Sequence, residues 1–161
     1  MSTLREILEV EDAVAVADSY SLYGMAAGHN PSAAALGEAV VSGRLRLAVP
    51  AIVLAVTYGM RTCGDEDCTR AHEPDPSARL DAFCALDGVE TVSLAGASAM
   101  TVGSLYGACV GANYHGAEIL AACHAAAIAK ERKCRLLTTA RASYCYILAD
   151  FQDLSGRKVV L

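Results

Sequence analysis

Residues 13–17 (AVAVA) form an unbroken run of small apolar side chains that stops at Asp18. Such a run predicts a strand buried on both faces of a parallel sheet, with a carboxylate delivered at its C-terminal edge. Ser19 to Ala27 predicts a helix, broken at Gly28 to Asn30. Pro31 and Ser32 then open a second helix that runs to about Ser42 and closes at Gly43. Arg44 to Val49 (RLRLAV) alternates polar and apolar residues as a strand does, and Pro50 suits the first turn of a helix from Ala51 to about Thr62. Cys63 to Pro76 (CGDEDCTRAHEPDP) has no periodicity and reads as a long loop.

Beyond that loop the alternation resumes. Ser77 to Leu86 predicts a short helix and Val89 to Leu94 (VETVSL) a strand with β-branched alternation. Ala95 to Val110 and Gly116 to Lys133 are alanine-rich helices parted by Gly111 to His115. Arg135 to Thr139 (RLLTT) and Lys158 to Leu161 (KVVL) are strands. Strands alternating with helices imply an α/β sandwich of three layers: a mostly parallel sheet of about five strands, helices on both faces, and any site at the strands' C-terminal ends.

Composition agrees with one domain over residues 1–161: 54% of the 161 residues are hydrophobic, with no tryptophan and two phenylalanines, so the core is built from small side chains. No apolar run reaches the roughly 20 residues of a membrane span. Met1 to Asp12 is acidic and amphipathic, unlike a secretory signal, so the expected location is the cytoplasm. Seven cysteines, odd in number and scattered, do not form a secreted disulfide framework, and Cys84, Cys109 and Cys123 read as small buried hydrophobes. A net charge of −5 opposes nonspecific binding to nucleic acid. The dense basic stretch of Lys130, Arg132, Lys133 and Arg135 is equally explained as a solvated helix end.

The strand ending in Asp18, the segment Ala48 to Gly59 (AVPAIVLAVTYG) and the segment Gly116 to Tyr144 (GAEILAACHAAAIAKERKCRLLTTARASY) together resemble the PIN domain, in its VapC-like branch of toxin ribonucleases. The resemblance implies three or four carboxylates holding magnesium or manganese, which activates water against an RNA phosphodiester. Hard divalent ions prefer such oxygen ligands. Asp18 matches the first carboxylate and Glu118 stands near the third. The second position is held by Val56 or its neighbour Ala55, and the fourth by Ala140. Two carboxylates make a poor magnesium site, so metal-dependent cleavage is not expected unless Glu38, Asp150 or Asp153 reaches the same cleft. Solvated surface acids are the preferred reading of those three.

Other constellations lie outside that pattern. Cys63, Cys68 and His72 have a C-x4-C-x3-H spacing that would bind zinc with a fourth ligand from Asp65, Asp67 or another chain; a local disulfide and a reduced, metal-free loop are the alternatives. The last of these is preferred. His115 and Glu118 would share a helix face, although a capping role for His115 is the simpler reading. His124, at a place where the family often carries a histidine, reads as core. No phosphate-loop glycine pattern is present, so no nucleotide cofactor is expected.

Three functions follow from these readings. The first is a non-catalytic module that binds a protein partner, a second copy of itself, or RNA. The second is an active Mg- or Mn-dependent ribonuclease, the toxin of a toxin–antitoxin pair, with relocated metal ligands. The third is a zinc or redox sensor built on residues 63–72.

Overall fold

The computed structural model describes residues 4–10, 13–60, 76–140, 142, 146 and 157–161. The elements run α1 (Leu4–Leu8), β1 (Ala13–Ala17), α2 (Ser19–Ala27), α3 (Pro31–Val41), β2 (Leu45–Pro50), α4 (Ala51–Gly59), α5 (Ser77–Cys84), β3 (Val89–Val92), α6 (Gly96–Gly111), α7 (Ala117–Arg132), β4 (Arg135–Thr138) and β5 (Lys158–Val160). The five strands form one sheet in the order β3-β2-β1-β4-β5, and every pairing is parallel. The expected α/β architecture is therefore present, with a sheet parallel throughout.

Successive residues of a strand face opposite sides of the sheet. Ala15, Val16 and Ala17 are all fully buried, as are Leu47, Ala48 and Val49 within 1%, so helices cover both faces of the central strands. That explains the unbroken apolar run of β1. At the strands' N-terminal ends the cover thins: Val14 is 38% exposed and its partner Arg46 faces solvent.

Helix boundaries follow local chemistry. Asn30 caps α3 by accepting from the Ala33 amide at 2.8 Å, with Pro31 in the first turn. Past its end, Gly43 takes a φ of 75°, a left-handed conformation that favours glycine. Pro50 closes β2 and stands at the N-cap of α4 rather than inside its first turn. That helix ends at Gly59, short of the expected Thr62, because Met60 is already extended at φ −73° and ψ 147°. The strand expected over residues 89–94 stops at Val92.

The two alanine-rich helices behave differently. In α7, Ile119 and every residue from Ala121 to Ala129 are buried. The helix packs against β1, β2, α4 and α6, and small side chains permit that close approach on all sides. In α6, Val102 and Cys109 are the buried residues, while Met100 is 78% exposed. No helix among the described residues is long and apolar enough to cross a membrane.

Candidate functional site

The strand order reverses across β1: the chain proceeds outward through β2 and β3, then returns to the other side of β1 for β4 and β5. In an open parallel sheet, the crevice at such a switch point, outside the strands' C-terminal ends, is where ligands bind. Asp18 follows β1 at this place, and Thr138, Thr139 and Ala140 end and follow β4 beside it, since Ala17 pairs with Leu137.

Asp18 is 3% exposed and is the N-cap of α2. Its Oδ1 accepts from the Ser21 amide at 2.9 Å, and the Ser21 hydroxyl lies 3.0 Å from the Asp18 amide. The result is a reciprocal capping box. The Asp18 amide also donates to the Leu137 carbonyl at 3.2 Å, and the Ser21 hydroxyl donates to that carbonyl at 2.9 Å, stitching α2 to β4. Oδ2 accepts from the Tyr146 hydroxyl at 3.1 Å, and the Thr138 side chain also hydrogen-bonds the carboxyl. Burial pushes the Asp18 carboxyl above its ordinary range, and the hydrogen bonds from Thr138, Ser21 and Tyr146 offset part of that rise.

Glu118 lies in the first turn of α7 and is exposed. At the other positions of the PIN pattern, Val56 is half-buried, and Ala55 and Ala140 are exposed. Glu38 is an exposed residue of α3. Among the described residues, no group of three or more His, Cys, Asp or Glu side chains is placed to hold a metal ion. A hard divalent ion needs ionised oxygens free to coordinate. Asp18 is a buried carboxyl with both oxygens accepting hydrogen bonds inside the chain. Cys63, Cys68 and His72, their neighbours Asp65 and Asp67, and the acids Asp150 and Asp153 lie outside the described residues.

His124 is fully buried and does more than fill the core. Its Nδ1 lies 3.4 Å from the Ile52 amide, so it offers an acceptor to the first turn of α4, where Pro50 has no side chain that can cap. Nε2 has no hydrogen-bond partner among the described residues. Burial lowers the pKa of the ring, favouring the neutral form that the contact with Ile52 requires. His115 does not take the capping role expected of it: Gly116 is the N-cap of α7, no side chain caps that end, and His115 is exposed.

The basic stretch is a helix end, with part of its charge paired. Arg132 donates two hydrogen bonds to Glu90, at 2.7 and 2.9 Å, and Arg135 lies 3.6 Å from Glu6. A shallow groove lined by Val14, Arg46, Asp87, Glu90 and Arg132 lies towards the N-terminal ends of the strands, at the opposite end of β1 from Asp18.

Sequence reasoning missed the partners of Asp18. The Asp-x-x-Ser spacing of residues 18–21 is itself a capping signal and was legible. Tyr146, 128 positions away, carries no local signal.

No family profile matches the sequence and no curated protein resembles it. The fold does match a solved structure, VapBC2 from Rickettsia felis bound to a DNA fragment from their promoter. The TM-score is 0.55 and the identity 15%, over 91% of this chain and 96% of that chain. The likeness shows a PIN-like fold.

Proposed function

We propose that this PIN-like, toxin-type domain acts by binding a protein and not by metal-dependent cleavage of RNA. The observation that carries the reading is the engagement of both Asp18 oxygens by Ser21 and Tyr146. A carboxylate that leads a metal site in the resembled family is here a buried helix cap, with Val56, Ala55 and Ala140 at the positions of two further acids. With magnesium or manganese, the protein is expected to cleave single-stranded or structured RNA no faster than an Asp18→Asn control. Cleavage well above that control would establish the rival reading, an active ribonuclease completed by acids such as Asp150 and Asp153.

The surface best suited to a protein partner is α6. No Asp, Glu, Lys or Arg occurs between Glu90 and Glu118, although most of α6 faces solvent. Met100, Gly103, Gly107 and Val110 recur at spacings of three and four, forming one seam on the helix side away from Val102 and Cys109. Met100 is 78% exposed, Val110 46%, and Tyr114 just beyond the helix 40%. Solvated helices ordinarily carry charge on that side, and an uncharged face lets two copies of a chain of net charge −5 meet without like-charge repulsion. We take a second copy as the partner. Sedimentation over rising concentration is expected to show a dimer that Met100→Glu weakens at least tenfold, which corresponds to about 1.4 kcal/mol. A monomer at every concentration would sink the self-pairing form of the reading.

A further inference from the structure

The sulfur atoms of Cys109 on α6 and Cys123 on α7 lie 4.0 Å apart, and both residues are fully buried. Their chain separation is 14 residues. A disulfide requires a sulfur separation of about 2.05 Å, so closure needs an approach of about 2 Å. The rest of the chain makes that movement easy. α6 packs on α7 with Val102 and Cys109 as its buried residues and most of its other side chains exposed, and an element exposed over most of its surface opens locally at lower free energy than the core. Gly103 and Gly107 each weaken its interior relative to alanine, and a Cβ at either position would meet nothing within 4 Å. The turn that follows α6 is held in place, with the Tyr114 amide donating to the Cys109 carbonyl at 2.9 Å and the Gly116 amide donating to the Tyr106 hydroxyl at 3.2 Å. These contacts keep the end of α6 against the start of α7, so Cys109 stays near Cys123 during an opening.

We propose that Cys109 and Cys123 are a modification site: a thiol pair that a peroxide closes into a disulfide, clipping α6 to α7. One thiol ionises and its thiolate attacks hydrogen peroxide, breaking the O–O bond to form a sulfenic acid and hydroxide, which takes up the thiol's proton and leaves as water. The second thiol displaces the hydroxyl group of that sulfenic acid, forming the S–S bond and a second water. Two thiols lose two hydrogens and the peroxide is reduced to two waters.

The test uses the full chain. After hydrogen peroxide treatment, removal of excess peroxide and unfolding in the presence of an alkylating agent that caps the remaining thiols, a glutamate-specific protease separates the two cysteines, because Glu118 lies between them. The expected result is a crosslink, two hydrogens lighter, between the peptide spanning 91–118 and that spanning 119–131. Oxidised protein should also melt roughly 5–10 °C higher, as closure of a loop of this length implies. That gain should vanish in Cys109→Ala and in Cys123→Ser and persist in Cys63→Ser. If the two peptides remain separate and alkylated while other cysteines oxidise, the proposal is wrong. That mapping needs no variant, so a variant that fails to fold does not protect it.

Discussion

Asp18→Asn is expected to raise the melting temperature at neutral pH, and the gain should disappear in acid. The carboxyl is buried and its pKa lies above 3.8, the ordinary value. In the window between 3.8 and the folded titration point, the folded chain binds more protons at this group than the unfolded chain. Stability therefore falls as pH rises through that window and is level above it. Each pH unit costs about 1.4 kcal/mol, or about 3–6 °C in a chain of this size. Asparagine carries no such titration and caps a helix as well as aspartate does. Its Oδ1 can keep the Ser21 amide, and the Tyr146 hydroxyl can turn to accept from the new amide. The check is a pair of melting curves from pH 3 to 8: the difference between variant and wild type should open above 3.8 and then hold constant. An unchanged or lower melting temperature at pH 7 would mean that the charge on Asp18 stabilises the fold.

His124→Ala should lower stability by about 3 kcal/mol, combining a cavity in a fully packed helix interface with a lost acceptor at the start of α4. Its pH dependence has the opposite sign to that of Asp18. The ring's folded pKa lies below the ordinary 6.5, so the unfolded chain takes the proton first. The stability that depends on the neutral ring is complete above 6.5 and declines as pH falls below it, by up to about 1.4 kcal/mol per unit, until the folded titration point. His124 should therefore contribute a loss of stability on acidification through pH 6, and that contribution should be absent from His124→Ala when its slope is compared with wild type. Identical slopes for the two proteins between pH 5 and 7 would show that His124 is not the group responsible. In Asp18→Asn the histidine term remains without the aspartate term, so its acid loss should be steeper than that of wild type wherever the two windows overlap.

Much of the fold was legible because it depends on local pattern. An apolar run covered on both faces, as in residues 13–17, differs from a buried helix in its shortness and its valine content. Pro31 and Gly43 mark ends through backbone chemistry that needs no distant partner. From these signals the order of strands and helices followed, as did the parallel sheet and the position of Asp18 at a strand's C-terminal end. The mismatch at Thr62 is of the same local kind: Met60 is already extended, and no residue in the pattern announces it.

What Asp18 does was decided by tertiary structure. As a sequence position it is an acid at a strand end, equally suited to metal, water or a helix cap. The fold brings Tyr146 to one oxygen and Ser21 to the other, and removes the group from solvent. His124 and Cys109 are similar cases. An alanine-rich segment shows that a histidine or cysteine is buried, but not that it faces the Ile52 amide or the Cys123 sulfur. Those pairings join residues 72 and 14 positions apart. Hydropathy encodes how much of a side chain leaves water, whereas the direction it faces depends on how helices cross, and that is set by packing over the whole core.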